Sequence, residues 1–426
     1  MWMKKEYMQR ARESWLRVRT SMLLLAKWLV LAAVVGVLCG GIGAAFYHAI
    51  VTVTSLRARY PWLLFTLPVV GLMIVAVYKV TRTEGQGTDA VIDAVQDGKP
   101  LQVLLLPAIF VATVLTHMAG GSAGREGAAL QMGGDIGWHA GKLLHLSDHD
   151  CRVATICGMA AFFTALFGTP LAATMFAMMV INVGLVFYAA FIPAYAASLV
   201  AYGLCTVLQV TPVRFTITAP DTAPLPLVQT AGFGLACAAV TMFFCAFLRF
   251  MGRRMQRWFP SPWRRVLVGG VIVVAATLLC GSMRYNGAGT EVIQQAIEQG
   301  QALPQDFLLK ILFTAVTLAA GYKGGEVVPS FFIGATFGCV AAPLFGLPAG
   351  FGAALGMVAV FCGATNCLFS SLALAVEVFD AQGLLFFGVV CGICHALTGY
   401  TGLYSHQGFV TAKMESEYHT EQKGHY

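Results

Sequence analysis

Charged side chains are scarce in this sequence. Asp, Glu, Lys and Arg make up 11% of its 426 residues, whereas hydrophobic residues make up 58%. Water-soluble proteins carry about 25% charged residues, so the composition excludes an ordinary soluble domain. The mean hydropathy is +0.74, and no long polar linker or soluble domain interrupts the sequence. The chain is therefore expected to lie in a lipid bilayer.

Metal-ligand and disulfide spacings are also lacking. The sequence has 12 cysteines, most of them inside apolar runs and without a pairing pattern. Cys391 and Cys394, in "CGIC", resemble a redox or metal motif, but their segment is apolar, and we interpret them as two packed side chains. No set of His, Cys and carboxylates has ligand spacing, so neither a metal nor a cofactor is predicted.

Apolar stretches recur along the whole chain. They cover residues 22–46, 62–80, 101–119, 151–166, 170–189, 191–209, 225–248, 266–281, 304–320, 327–347, 350–378 and 384–398. Several reach the ~20 residues that a helix needs to cross a bilayer, and others are too short. The sequence therefore predicts an all-α, polytopic membrane protein with broken or partial spans.

Basic residues cluster at two places. Residues 3–19 form a basic, amphipathic segment, predicted to be a short helix on the membrane surface within a cytoplasmic N-terminal segment, 1–21. A second cluster at 247–265 is expected to be cytoplasmic as well. The net charge of +7 is thus interpreted as membrane topology rather than nucleic-acid binding. We expect a cell (inner) membrane protein with both termini in the cytoplasm, a membrane domain over 22–413 and a short polar tail at 414–426.

The two halves of the chain resemble each other. "GREGAALQMGGDIG" (124–137) matches "GGEVVPSFFIGATFG" (324–338) at a spacing of 201 residues, and "TALFGTPLAATMFAMMV" (164–180) matches "GATNCLFSSLALAVEV" (363–378) at a spacing of 198. The first alignment pairs Gly133 with Gly334 and Gly137 with Gly338. The nearly constant period predicts a duplicated membrane unit, with halves at about 22–210 and 222–413. Short, glycine-interrupted segments at corresponding positions indicate a binding site in mid-membrane.

Three glycine-led helix starts could form that site. They are "EGQGTDAVIDAV" (84–95), the stretch around Glu126, and "GYKGGEVVPSFF" (321–332). A half-helix presents unpaired N–H groups and the positive end of its dipole, which bind an anion without a full charge. If the three starts converge, they form an anion cradle.

Glu126 has two possible roles in such a cradle. Ionised, it can occupy the anion position itself, and protonated, it can move away. Intramembrane ionisable residues are costly, which favours a functional role. The alternative is a buried salt bridge with Arg125, but adjacent residues on a helix do not face each other. Arg125 is then expected to hold backbone carbonyls or another loop.

These motifs resemble those of the CLC family of chloride channels and anion/proton antiporters. "GREGAALQMGGDIG" is similar to the family's second signature, G-K/R-E-G-P, and "GTPLAATMFAM" to the helix after it. "GGEVVPSFFIGATFG" is similar to the third signature and "GQGTDAVIDA" to the first. "LALAVEVFDAQGLLFFGVV" is similar to a late helix that carries an acid. The matches follow the family's order from about residue 20 to 413.

The resemblance implies two inverted repeats, broken half-helices that meet at a mid-membrane anion site, and a homodimer with one pathway per subunit. It implies fluoride or chloride and protons as partners. It places Glu126 on the gating glutamate and Tyr404, in "GYTGLYSHQ", near the tyrosine that closes the inner side of the anion site. The implied anion-binding residues are Gly87, Thr88, Arg125, Gly127, Val327, Val328 and Tyr404.

Departures from the common pattern indicate the branch of the family that exports fluoride in exchange for protons. The first loop lacks the serine of chloride-selective members, and Ala128 replaces proline. The inner proton-transfer glutamate would fall near Met179 or Val180, neither of which carries a proton. Glu326 matches a glutamate typical of the fluoride branch. Thr88, where that branch often has Met, and Val328, where it often has Thr, depart from it.

Other ionisable residues receive separate interpretations. Glu326 is either a second proton-carrying carboxylate or a helix cap, with Lys323 as a possible ion-pair partner. Glu377 is expected to have a structural hydrogen-bonding role. Asp89 and Asp93 are expected at the solvent-accessible end of a short helix rather than in the pathway.

The sequence leaves three functions open. A fluoride/proton antiporter that uses Glu126 as its gating and proton-carrying carboxylate is favoured. A chloride/proton antiporter or chloride channel of the same fold is the first alternative. An intramembrane enzyme with Glu126 or His117 as acid or base is the remote alternative, and the protein is predicted not to be an enzyme.

Overall fold

The computed structural model describes residues 2–410, 413 and 414. Within them the chain forms sixteen α-helices and one pair of two-residue strands. The helices of the first half are α1 (Trp2–Arg59), α2 (Leu67–Val80), α3 (Thr88–Asp97), α4 (Leu105–Met118), α5 (Glu126–Leu143), α6 (Asp148–Phe167), α7 (Pro170–Met179) and α8 (Phe191–Val207). Those of the second half are α9 (Pro224–Trp258), α10 (Pro262–Cys280), α11 (Thr290–Glu298), α12 (Asp306–Ala320), α13 (Val327–Ala341), α14 (Ala349–Thr365), α15 (Leu368–Phe379) and α16 (Leu384–Leu397).

The helix lengths are those of a multi-pass membrane protein with partial spans. Seven helical segments in the described part of the chain are long and apolar enough to cross a bilayer, whereas α7 has 10 residues and α15 has 12. The apolar run 350–378 is divided between α14 and α15 at Asn366, which has a left-handed φ of 60°. The predicted fold class, an all-α polytopic membrane protein with broken helices, is confirmed.

The two halves are inverted repeats. Each half supplies eight helices in the same order. The larger basic cluster of each first helix lies at one end, although α1 also ends with Arg57 and Arg59. In α1 the exposed Arg17 and Arg19 lie near the N-terminus, and in α9 the basic residues, including Arg254 and Arg257, lie near the C-terminus. Because such clusters stay on one side of a membrane, α1 and α9 cross it in opposite directions.

Matching glycines pack the helices of each half. A Cβ on Gly137 of α5 would lie 2.1 Å from the carbonyl oxygen of Ala154 in α6. A Cβ on Gly338 of α13 would lie 2.1 Å from the carbonyl oxygen of Gly352 in α14. These two glycines are the pair that the 201-residue alignment predicts, and they bring backbones together at the same place in each half.

The first helix differs from the sequence prediction. Residues 2–59 form one helix without a break near residue 21, so the basic segment continues directly into the first span. Its apolar, membrane-compatible part alone covers Ser14–Arg59, about 70 Å at 1.5 Å per residue, which exceeds the thickness of a bilayer. The predicted surface location of residues 3–19 stays a prediction, and the tail beyond Met414 lies outside the described residues.

The two strands are the exception to the all-helical pattern. β1 (Asn182–Val183) follows α7 and pairs in parallel with β2 (Gly408–Phe409) near the C-terminus. Gly408 donates its N–H to the Ile181 carbonyl at 3.1 Å, and Val410 donates to Val183 at 3.0 Å. This pairing fixes the segment after α16 against the end of α7.

Substitution of Gly338 by alanine is expected to destabilise the protein by about 1–3 kcal/mol, because the added methyl group must displace backbone. Gly137→Ala is expected to have a similar effect in the other half. Gly41→Ala is the matched control, since a Cβ at Gly41 in α1 meets nothing within 4 Å and alanine favours the helix. Thermal unfolding in detergent measures the difference. Equal melting temperatures for Gly338→Ala and Gly41→Ala would contradict the packing argument.

Candidate functional site

Two glycine loops meet where the halves of the molecule join. Gly124 donates its N–H to the Gly325 carbonyl at 2.7 Å, and Gly325 donates to the Gly124 carbonyl at 2.8 Å, as a short antiparallel bridge. The loops lie so close that a Cβ on Gly325 would be 2.3 Å from the amide nitrogen of Gly127. Glycine is therefore required at this contact. The contact brings the N-termini of α5 and α13 to one point.

The Glu126 side chain lies at that point. It is fully buried, and its Oε2 accepts hydrogen bonds from the N–H of Arg125 at 2.9 Å and of Val328 at 3.3 Å. A Cβ on Gly124 would be 2.2 Å from the same oxygen. Oε1 is buried and accepts no hydrogen bond from any residue that the structure describes. The carboxylate thus occupies a position where N–H groups from both half-helices can hold an anion.

The Arg125 side chain lies beside Oε1, the oxygen of Glu126 that the two backbone N–H groups do not bind. Its Nε is 3.9 Å from Glu126 Oε1, its Nη2 donates to the Leu166 carbonyl at 3.4 Å, and its guanidinium lies 5.0 Å from the centre of the Tyr47 ring. The expectation that it holds a backbone carbonyl is confirmed. The alternative of a buried salt bridge with Glu126 stays open, because Arg125 precedes the first helical residue of α5 and the helical spacing rule against that pair does not apply to it.

A cavity of about 260 Å³, here called the inner cavity, lies next to the two loops. Its lining includes Tyr78, Gly87, Thr88, Asp89, Ala128, Gln131, Lys323, Glu326 and Tyr404. Thr88 is the first residue of α3, and its hydroxyl accepts a hydrogen bond from Gln131 at 3.0 Å. The N-terminus of α3 therefore faces the same space as Glu326.

Two hydroxyl groups at the inner cavity lack partners. The hydroxyl oxygens of Tyr78 and Tyr404 are buried and form no hydrogen bond among the described residues. A buried hydroxyl without a partner costs free energy, so each is available to a ligand that accepts a hydrogen bond. Tyr404 was predicted from the sequence, whereas Tyr78 was not, because nothing in its apolar helix distinguishes it from a packing residue.

The segment that carries Tyr404 is held by backbone and amide contacts. Leu403 donates its N–H to the Ala364 carbonyl at 2.9 Å, and Gln407 donates to the Thr365 carbonyl at 3.0 Å. Gln96 of α3 donates to the His406 carbonyl at 3.1 Å. Together with the β1–β2 pairing, these contacts fix Tyr404 opposite the start of α3.

The predicted site residues fall into two groups. Glu126 and Val328 meet at the loop contact, with the buried Gly127 and Val327 in the first turns of the two helices. Gly87, Thr88, Glu326 and Tyr404 line the inner cavity.

Glu326 precedes α13 but forms no capping hydrogen bond with its side chain. Lys323 lies 4.3 Å from the centre of the Tyr78 ring, and among the described residues it has no ion pair within 4.0 Å. Asp89 lines the inner cavity, and its expected place at the solvent-accessible end of α3 rather than in the pathway stays a prediction. Asp93 instead pairs with Lys99 and His406.

Glu377 has the structural role that the sequence predicts. Its two carboxylate oxygens accept hydrogen bonds from the N–H groups of Leu171 at 3.0 Å and Ala172 at 2.8 Å, at the N-terminus of α7. His117 is 1% exposed, and its Nδ1 donates to the Thr113 carbonyl at 2.9 Å.

A second cavity, of about 690 Å³ and here called the outer cavity, lies beside the C-terminal end of α1 and the start of α11. Arg57, His117, Arg125, Arg284, Ala288, Thr290 and Glu291 are among its lining residues. The sequence prediction missed this loop, although the repeat period could have found it. "GAGT" at 287–290 lies 202 residues after "GQGT" at 85–88.

Comparisons with known proteins agree with the architecture. The profile of the family described as voltage gated chloride channel matches residues 69–399. A "Chloride/fluoride channel protein" of Pseudomonas syringae pv. tomato is 32% identical over 394 residues, which cover 90% of this chain and 86% of that protein. An "H(+)/Cl(-) exchange transporter" of Yersinia pestis is 26% identical over 395 residues, covering 84% and 81%.

Solved structures show the same fold. The crystal structure of a CLC-type fluoride/proton antiporter has a TM-score of 0.87 and 33% identity, covering 90% of this chain and 98% of that chain. A slow cyanobacterial Cl-/H+ antiporter has a TM-score of 0.74 at 21% identity, covering 87% and 94%. Since the profile matches well over half of the sequence and a relative above 30% identity spans nearly all of it, this chain belongs to the CLC, or voltage gated chloride channel, family.

Proposed function

We propose that this protein is a proton-coupled anion antiporter that exports fluoride. The observation that carries the proposal is the Glu126 carboxylate, which accepts hydrogen bonds from the N–H of Arg125 and of Val328 between the two half-helices. A carboxylate held by backbone donors occupies the place of a transported anion. Protonation removes its charge and frees those donors for fluoride.

Exchange of an anion for a proton follows because the Glu126 carboxylate and the anion compete for the same N–H donors. Ionised Glu126 and an anion repel each other at the same donors, so an anion enters only when the carboxyl group is protonated or has moved. The unpartnered Oε1 can carry the proton without first losing a hydrogen bond. Each cycle therefore moves an anion one way and a proton the other, and inward proton flow drives the anion out.

The inner cavity supports fluoride as the anion. Fluoride is small, strongly hydrated and a strong hydrogen-bond acceptor, so it needs several donors to replace its water. The free hydroxyl groups of Tyr78 and Tyr404 and the hydroxyl of Thr88 face the inner cavity. The Pseudomonas relative and the structure of 33% identity carry fluoride in their printed descriptions, which supports the same assignment.

Glu326 is proposed as the second proton-carrying group. It lines the inner cavity and follows the loop that contacts Glu126, and its side chain does not cap α13. A carboxylate that is not used for capping is free to exchange a proton with the inner solution. This role replaces the inner glutamate that is missing near Met179.

A chloride/proton antiporter is the second candidate, because the Yersinia relative carries that description. It would use the same Glu126 exchange with a different anion. Family membership sets aside the intramembrane enzyme.

The remaining assignments rest on the family and the charge pattern. We assign the protein to the cell membrane as a homodimer, with the N-terminus and the C-terminus in the cytoplasm. The membrane domain is assigned to residues 22–413, with halves at about 22–210 and 222–413 between the N-terminal segment, 1–21, and the tail, 414–426. The inner cavity then faces the cytoplasm, because the outer cavity lies at the end of α1 away from its N-terminus.

The first experiment measures halide efflux and internal pH together in proteoliposomes. Fluoride efflux is expected to exceed chloride efflux and to be coupled to proton uptake. Glu126→Gln removes the group that carries the proton, so it is expected to abolish or uncouple the flux, whereas the exposed Glu84→Gln leaves it unchanged. Chloride flux equal to fluoride flux would assign the protein to the second candidate. Coupled flux that survives in Glu126→Gln would contradict the mechanism.

Tyr404→Phe removes one free donor from the inner cavity. A hydrogen bond to a charged group contributes about 1.5–3 kcal/mol, so fluoride affinity is expected to fall by roughly tenfold or more. Fluoride titration of the purified protein measures this change, with the exposed Tyr188→Phe as control. An unchanged affinity would show that the Tyr404 hydroxyl does not contact the anion.

Glu326→Gln and Glu377→Gln form a matched pair, because Glu326 directly precedes α13 and Glu377 binds the start of α7. Glu326→Gln is expected to reduce proton-coupled flux by roughly tenfold or more, because it removes a proton carrier. Glu377→Gln is expected to lower stability by about 1–3 kcal/mol, because it weakens two bonds to the start of α7, and to leave the coupling ratio unchanged. Unchanged proton-coupled flux in Glu326→Gln together with an altered coupling ratio in Glu377→Gln would contradict both assignments.

A further inference from the structure

We propose that a groove between α2 and α10 binds one anionic phospholipid of the cytoplasmic leaflet, with an acyl chain against the two helices and the phosphate at the start of α10. The groove, here called the lipid groove, has a volume of about 280 Å³. It is lined by Leu72, Phe259, Trp263, Arg264, Leu267 and Val268. This site lies outside the anion pathway and does not depend on which halide is transported.

The wall of the lipid groove is apolar except at one end. Leu72 of α2 faces Leu267 and Val268 of α10 across it, and Arg264 is the one charged residue of the lining. The exposed Trp263 lies beside Arg264 in the first turn of α10. Tryptophan is enriched where lipid headgroups meet the hydrocarbon. The lining therefore matches a lipid, with an acyl chain along the leucines and a headgroup at Arg264.

The charge around the groove is of one sign. The segment 247–265 contains six arginines, and no Asp or Glu occurs anywhere in 222–290. A cluster of four to eight basic residues on the cytoplasmic side of a membrane helix attracts anionic lipids. Among the described residues, Arg264 forms no hydrogen bond and no ion pair within 4.0 Å. Its guanidinium is therefore available to a phosphate group.

The start of α10 adds backbone donors. Ser261 precedes the helix without capping it through its side chain, and Pro262 follows. Arg265 donates its N–H to the Ser261 carbonyl at 3.0 Å, whereas the N–H groups of Trp263 and Arg264 have no acceptor in the part of the chain that the structure describes. Free N–H groups at a helix start bind phosphate. The headgroup can thus contact the Arg264 side chain and the backbone of the same turn.

The helices that form the lipid groove also support the inner cavity. The Tyr322 hydroxyl lies 2.9 Å from the Leu67 carbonyl of α2 and 3.0 Å from the Val266 carbonyl of α10, so it bridges the two helices. A Cβ on Gly71 would lie 2.7 Å from that hydroxyl, which shows how closely they pack. Tyr322 and the next residue, Lys323, line the inner cavity. A lipid that fills the groove therefore stabilises the packing behind this cavity wall.

Native mass spectrometry of the purified full chain tests the proposal by counting bound lipid. The titrants are phosphatidylglycerol, phosphatidylcholine with the same acyl chains, and inorganic phosphate. One phosphatidylglycerol per chain is expected to bind at least about fivefold more tightly than phosphatidylcholine, because only the former is anionic. Equal binding of the two lipids would overturn the proposal. Inorganic phosphate that binds as tightly as phosphatidylglycerol would also overturn it, since no groove would then be needed.

Two matched pairs of variants locate the lipid. Arg264→Gln is expected to weaken phosphatidylglycerol binding by about fivefold or more, whereas Arg59→Gln, which removes an exposed charge at the end of α1, binds like the wild type. Leu267→Trp fills the groove and is expected to reduce binding, whereas Leu279→Trp, at the exposed far end of α10, is not. Equal binding within either pair would overturn the site.

The outcome is independent of the proposed function. Lipid binding is measured without a halide or a proton gradient, so a lipid lost in Arg264→Gln and in Leu267→Trp supports the lipid groove even if proteoliposomes show no fluoride antiport. Conversely, coupled fluoride flux with no preference for phosphatidylglycerol would overturn the lipid site and leave the antiporter in place.

Discussion

The contact between the loops of Gly124 and Gly325 is the constraint on which the rest of the structure depends. Backbone that leaves a helix inside a membrane must find partners within the protein, and these two loops satisfy each other through reciprocal hydrogen bonds of 2.7 and 2.8 Å. The close approach positions the starts of α5 and α13 around one carboxylate. Any side chain larger than hydrogen at Gly325 would separate them.

The duplicated backbone carries different side chains in its two halves. At the repeat spacing of 201, Arg125 corresponds to Glu326 and Glu126 to Val327. The first half therefore places a cation, Arg125, and then the central carboxylate, Glu126, at the start of α5. The second half places its carboxylate, Glu326, at the position that corresponds to Arg125, and this carboxylate lines the inner cavity. A symmetric frame thus holds an asymmetric set of charges.

The same asymmetry extends to the cavities. The inner cavity has Tyr78 and Tyr404 hydroxyls that lack partners, which suits an anion that has lost its water. The outer cavity instead has the buried Arg57 and an acceptor nitrogen on His117.

Much of this arrangement is predictable from the sequence. Glycine pairs such as Gly137 and Gly338 predict the repeat and the close helix packing, and an acid among glycines predicts Glu126 at the centre. Local patterns could not show that the basic N-terminal segment continues into one helix with the first span, because an amphipathic start is compatible with both arrangements. Nor could they place Asp89 or Tyr78 at the inner cavity, since the lining of a cavity depends on how distant helices pack.

The central claim is that the Glu126 carboxylate and the transported anion compete for one set of N–H donors. Calorimetric titration of fluoride in buffers of different ionisation enthalpy tests it most directly, because it counts the protons taken up with each anion. The account predicts proton uptake by the wild type when fluoride binds, and a clearly smaller uptake by Glu126→Gln, in which Glu326 is the one proposed proton carrier that remains. Fluoride binding by the wild type without proton uptake would contradict it.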